Sequence, residues 1–205
     1  MRVFLAVNLH AELREELAQI QDKLRKKIQG VRWVAPPLLH ITLKFLGELG
    51  DDALDVLEKP FRELGEKTAA FTVSLARLGA FPSLSNPRVF WIGVEEGALQ
   101  LGKLAGDIEQ CLKVLKPWRG SGNNSRKITR EQFRPHITIG RKKKKGERFW
   151  AAKDVFDEMW VCKNKLWVES FYLMQSVLYP TGPVYTPVKK FWFKKDEKSR
   201  KFPLD

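Results

Sequence analysis

The chain holds little of what most often marks a recognisable chemistry: two cysteines and three histidines in 205 residues. Cys111 and Cys162 lie far apart in apolar surroundings, which excludes a disulfide framework or a Cys-x-x-Cys redox pair and predicts reduced, buried thiols. With His and Cys so few and scattered, no zinc-ligand spacing can be assembled. Nor is there a Gly-rich loop followed by Lys-Ser/Thr to cradle a nucleotide phosphate. The expectation is therefore no metal and no cofactor. No stretch approaches the roughly 18 apolar residues of a membrane span, and the opening run Met1 to Asn8 is too short for a signal peptide. A soluble, cytoplasmic protein is expected, monomeric and with no obligate protein partner.

Acidic charge is also scarce. Lys and Arg total 37 against 24 Asp and Glu, a formal charge of +13. Such an excess favours a polyanionic partner, whether RNA, DNA or an acidic membrane surface, and does not by itself choose among them. A hydrophobic fraction of 43% is enough to bury a full core in one domain of this length.

Against this background two stretches stand out, Pro37 to Leu43 and Arg134 to Ile139. Each contains His, apolar, Thr, apolar. In an extended strand successive side chains alternate between faces, so His40 and Thr42 project together while Ile41 and Leu43 turn inward. His136 and Thr138 repeat this against Ile137 and Ile139.

In chain order, Arg2 to Leu9 reads as a strand. Leu13, Leu17, Ile20, Leu24 and Ile28 then recur at helical spacing up to Gly30. Val31 to Val34 is a short strand, and the first His/Thr strand runs to about Leu46. Asp51 or Asp52 can cap a second helix that Pro60 should kink or split. Phe71 to Leu78 alternates as a strand, and the breaker-rich turn Gly79 to Pro87 opens a second half that echoes the first. That half reads strand (Arg88 to Val94), helix (Leu101, Leu104, Ile108, Leu112, Leu115), polar loop (Lys116 to Arg130) and second His/Thr strand. A helix marked by Phe149, Ala152, Phe156 and Met159 follows, then two strands, Leu166 to Leu178 and Val184 to Phe193. Residues 194–205 read as a frayed tail. The division is one domain over 1–205, built of halves 1–86 and 87–193. Packed about a pseudo-twofold axis, the halves would bring the His/Thr strands face to face across a cleft. The hairpin-like ending argues for mixed or antiparallel sheets, hence an α+β fold and not a doubly wound one.

Two imidazoles titrating near pH 6.5 can divide general base and general acid work. Hydrolysis of a strained phosphodiester asks for that division. One group takes a proton from attacking water, the other protonates the departing ribose oxygen, and the hydroxyls hydrogen-bond the non-bridging phosphate oxygens.

These residues resemble the 2H phosphoesterases, named for two His-x-Thr-x motifs. The nearest likeness is to the bacterial and archaeal RNA 2′,3′-cyclic phosphodiesterases, also grouped as the 2′-5′ RNA ligase family. The likeness spans Arg2 to Val7, Trp33-Val34, Leu39 to Gly47, Pro87 to Val94, Phe133 to Arg141 and Gly182 to Tyr185. It implies a bilobal α+β fold and hydrolysis of a 2′,3′-cyclic phosphate on RNA or a nucleotide to a 2′-phosphate. His40 and His136 would be the catalytic pair, with Thr42 and Thr138 on the phosphate. The family's arginine past the second motif falls on Arg141, whose fork can hold a phosphate oxygen. By the same analogy His136 is the base and His40 the acid. The basic run Lys142 to Lys145 and the long loop before the motif depart from the pattern. Alternatives from the same motifs are a 2′-5′ RNA ligase or 2′-5′ phosphodiesterase, and charge alone would fit an RNA-binding module without chemistry.

Other residues carry blander readings. His10, with no Thr partner, reads as solvated or capping. Lys44 shares the His40/Thr42 face if the strand continues, and so can touch RNA. Arg134 either faces the cleft, as a second possible RNA contact, or covers its edge. Trp91, Trp150, Trp160 and Trp167 sit in apolar patterns and are assigned to the core.

Overall fold

The computed structural model describes residues 1–115, 133–143, 149–152, 154–158 and 160–194, with β1 (Arg2–Asn8), α1 (Ala11–Lys27), β2 (Ile28–Gln29), β3 (Val31–Trp33), a 3-10 turn (Pro36–Leu38), β4 (His40–Glu48), α2 (Asp51–Lys67), β5 (Phe71–Val73), β6 (Leu75–Pro82), β7 (Pro87–Val94), α3 (Ala98–Val114), β8 (His136–Lys142), β9 (Trp150–Ala151), β10 (Leu166–Val168), β11 (Ser170–Tyr179) and β12 (Gly182–Trp192). The expected loop Lys116 to Arg130, residues 144–148 of the basic stretch, Met159 and the tail beyond Lys194 lie outside the described residues.

The fold is α+β. One sheet runs β12-β11-β1-β4-β8-β7-β6, with β3 also paired to β8, and every ladder in it is antiparallel. The two His/Thr strands, β4 and β8, are thus neighbours at its centre rather than opposed across a gap. They touch at a single pair, Ile41 with Ile137. Strands from the two sequence halves interleave: β6 joins β7 and β8, while β11 and β12 flank β1.

Alternation decides what each face carries. On one face Val3, Leu5, Val7, Ile41, Leu43, Ile137, Ile139, Phe90 and Ile92 are buried with Leu13, Leu17 and Leu24 of α1, Phe61 of α2 and Leu101, Leu104 and Ile108 of α3. Each such side chain contributes about 1.5–3 kcal/mol by leaving water. On the other face Phe4, Ala6 and Met174 form a small separate cluster with Tyr172 and Tyr185, and among the described residues no helix packs on it.

Pro60 does not split α2, which is a single helix from Asp51 to Lys67. A proline removes the donor to the carbonyl four residues earlier, here that of Val56, a residue on the exposed side of the helix. After Phe149 the expected helix is absent among the described residues. Trp150–Ala151 pairs with β2, and a turn follows in which Val155 N–H donates to the Ala152 carbonyl. The helical spacing arose because Phe149 and Phe156 both stack on Phe90, with centroids 5.9 and 6.3 Å away. His10 caps α1, accepting from the Leu13 N–H. Both cysteines are free, and burial pushes the Cys162 thiol up to about 12. Among the described residues no helix is long and apolar enough to cross a membrane.

One buried polar group ties α1 to the sheet. Gln21 donates from Nε2 to the carbonyls of Val34 and Ile139, both at 2.8 Å. Substituting Gln21→Met keeps the volume but strands the Val34 carbonyl. It should lower stability in urea by about 1–3 kcal/mol without changing the slope of the unfolding transition.

Candidate active site

The Ile41–Ile137 pair fixes the site. In an antiparallel ladder the residues on either side of a pair are themselves opposed, so Thr42 falls beside His136 and His40 beside Thr138. Because Ile41 and Ile137 point into the core, all four motif side chains point to the open face. The strands then diverge, leaving that face free for a ligand.

Backbone carbonyls two residues upstream lock both rings. His40 Nδ1 lies 2.8 Å from the Leu38 carbonyl and His136 Nδ1 2.6 Å from that of Arg134. A carbonyl only accepts, so each Nδ1 carries a proton and each Nε2 is a lone-pair acceptor in the neutral ring. His40 Nε2 is 2.9 Å from Thr42 Oγ1. Arg134 itself is exposed and contributes through its main chain.

Aromatic rings wall the two imidazoles. Phe4 and Tyr185 lie against His40 at 4.9 and 5.3 Å between centroids; Phe81 and Trp91 lie against His136 at 5.1 and 6.0 Å. Burial here holds His40 below its ordinary pKa, and positive charge on His136 and Arg141 pushes the same way. His136 is lowered by burial and by Arg141. In both rings the carbonyl hydrogen bond opposes the shift. The neutral forms are favoured, so this part of the folding stability is present above the unfolded-state value near 6.5 and is lost as pH falls through the lowered values.

Beyond each threonine the strand carries one extra residue. Against β1, Ala6 pairs with Thr42 but Leu5 pairs with Lys44; against β7, Trp91 pairs with Thr138 but Phe90 pairs with Gly140. Each bulge inverts the alternation at the corresponding place. Lys44 therefore shares the face of buried Leu5, not that of His40 as simple continuation of the strand would have it. It pairs with Glu109 of α3 at 2.6 Å, with 13% of its side chain exposed. The same device returns Arg141 to the face of His136 and Thr138. In β4 it brings up Phe45, 66% exposed and 5.9 Å from Phe4. The residue five past each histidine is thus aromatic in one motif and a cation in the other.

The tryptophan assignment divides. Trp160 is buried and donates to the Val155 carbonyl, but Trp150 is half-exposed and Trp91 forms part of the wall around His136. Phe4, Phe81 and Tyr185 belong to no motif that sequence reasoning picks out as functional. Alternation with their buried neighbours is the available signal for Phe4 and Trp91. Gly79 completes the wall, since a Cβ there would collide with the Trp91 indole. Among the described residues no three His, Cys, Asp or Glu side chains group closely enough to hold a metal ion.

Known proteins resemble this chain along most of its length. The family model for LigT-like phosphoesterases matches residues 7–91. The chain is 35% identical to an RNA 2′,3′-cyclic phosphodiesterase of Archaeoglobus fulgidus over 93% of its own length and 99% of that protein. It is also 35% identical to one from Thermus thermophilus, over 93% and 89%. Among solved structures, one from Thermus thermophilus superposes with a TM-score of 0.76 at 32% identity, covering 96% of this chain and all of that one. The Escherichia coli LigT complex with 3′-AMP superposes at 0.71 with 26% identity, over 95% and 98%.

Two measurements check the site. In an NMR titration of the free protein both imidazoles should titrate below 6.5, and Arg141→Gln should raise both values; a rise at only one ring would contradict the placement of Arg141. Gly79→Ala should cost about 1–3 kcal/mol by overpacking against Trp91, and should perturb the His136 resonances more than those of His40.

Proposed function

The chain belongs to the LigT-like phosphoesterase family, and we propose that it hydrolyses 2′,3′-cyclic phosphates on RNA ends or nucleotides to 2′-phosphates by two-histidine acid and base catalysis. The observation that carries this reading is the placement of two imidazoles, each with Nδ1 committed to a carbonyl, at the one point where their strands pair. The names of the Archaeoglobus and Thermus relatives support the substrate class.

His136 is the base. Its Nε2 has no hydrogen-bond partner among the described residues and is free to take a proton from water. His40 is the acid and must enter the reaction as imidazolium. Its lowered pKa opposes this in the free protein, but a bound phosphate anion offsets the charge of Arg141 and favours the imidazolium. Protonation reverses the His40–Thr42 hydrogen bond, freeing the hydroxyl proton for a non-bridging phosphate oxygen. Thr138 and the Arg141 guanidinium hold the other phosphate oxygens. Water oxygen then bonds to phosphorus as the bond to O3′ breaks. One water proton goes to His136, and the proton of His40 goes to O3′. The product is a 2′-phosphate with a free 3′-hydroxyl, and exchange with solvent resets the pair.

Phosphorus NMR of a 2′,3′-cyclic mononucleotide with the protein in EDTA tests the reading. It should show a 2′-phosphate, and His40→Ala or His136→Ala should each lower kcat by about 10²–10⁴. A 3′-phosphate product, loss of turnover on chelation, or an active histidine variant would overturn it.

A further inference from the structure

Arg141 is not alone at its end of the site. On one side of β8, β4 pairs only at Ile137; further along, β3 takes its place and sets Val31 against Lys142, Arg32 against Arg141 and Trp33 against Gly140. Directly opposed residues of an antiparallel pair share a face. Val31 is in the core and Gly140 lies on the core side of the bulge, so Arg32 stands with Arg141 on the open face.

Three features show that this pairing is built into the fold. Gly140 makes the approach of β3 possible, since a Cβ there would lie 2.7 Å from Val31 Cγ1 and 3.3 Å from Trp33. The Val34 N–H donates to the Ile139 carbonyl at 2.9 Å, and Gln21 bonds both Val34 and Ile139 carbonyls. The strand carrying Arg32 is thereby pinned to the strand carrying the second motif.

Yet the pair is electrostatically unfavourable as it stands. Like charges directly opposite each other on a sheet repel. Both side chains are exposed, and neither has a carboxylate partner among the described residues. Lys44, by contrast, is neutralised by Glu109 on the other face. Two guanidiniums side by side with no acid between them suit an anion with several acceptor oxygens. At the corresponding position of the first motif stands Phe45 in place of an arginine.

We propose that Arg32, beside Arg141, forms a second phosphate subsite, which takes the backbone phosphate on the 5′ side of a terminal cyclic-phosphate nucleotide and favours RNA ends over mononucleotides. This rests on the reading of the reaction given above. Arg141 stands nearer the reacting phosphate, and Arg32 lies one strand outward, about 4.8 Å away across the ladder. The only other phosphates on an RNA that ends in a cyclic phosphate lie upstream. A free mononucleotide has none to offer Arg32.

The test compares kcat/KM for a cyclic mononucleotide and for a short oligonucleotide ending in a 2′,3′-cyclic phosphate. In Arg32→Gln the ratio of oligonucleotide to mononucleotide should fall about tenfold. The slope of log kcat/KM against log salt for the oligonucleotide should also flatten by about 0.7, one phosphate contact on a single strand. Arg32→Glu should lower the ratio further, because a carboxylate there repels the upstream phosphate, while leaving Tm no lower than that of the unaltered protein, because a like-charge pair is removed. A ratio within twofold of the unaltered protein in both variants overturns the proposal. If the unaltered protein opens neither substrate, the reading of the reaction fails. Arg32 is then judged by anisotropy with an oligonucleotide ending in a 3′-phosphate, where the same flattening in Arg32→Gln supports the subsite and an unchanged slope overturns it.

Discussion

One cross-strand pair, Ile41 with Ile137, holds the architecture of the site together. Both side chains are fully buried, so the register of β4 against β8 is set by core burial and not by anything on the open face. A slip of one residue would turn one strand over against the other, putting its isoleucine out and its histidine in. The same apolar constraint that stabilises the sheet therefore places His40 beside Thr138 and Thr42 beside His136.

Around that seam the environment prepares the imidazoles for the proposed chemistry. Carbonyls fix the tautomer of each, aromatic rings withdraw them from water, and Arg141 biases both toward the neutral form. An anionic ligand reverses the last effect. Charge on the ligand and charge on one imidazole are thus linked, so binding itself favours the state with one base and one acid.

Much of this is legible in the sequence because it rests on a period of two. His40, Thr42, His136 and Thr138 announce a shared face, and the apolar residues between them announce the core. The helices with three-and-four spacing at Leu13 to Leu24 and Leu101 to Leu112 are where the pattern puts them. What does not show is every change of phase. The bulges after Thr42 and Thr138 have no residue signature, yet they send Lys44 to Glu109 and raise Phe45 and Arg141. Phe149 and Phe156 keep a helical spacing because both reach Phe90, although the chain between them turns instead of coiling. Pro60 has the signature of a break, yet α2 is one helix through it, and the residue four positions earlier, Val56, is exposed. The opposition of Arg32 to Arg141 depends on a three-residue strand whose pairing partner lies over a hundred residues away, beyond the reach of local pattern.

The central claim is that two imidazoles act on one phosphorus atom, and a crystal structure with a nucleoside vanadate, which mimics five-coordinate phosphorus, tests it directly. The account predicts the Nε2 atoms of His40 and His136 each at about 2.6–3.2 Å from opposite apical oxygens of a single vanadium. A vanadate touched by one imidazole alone, or bound away from the β4–β8 seam, would contradict it.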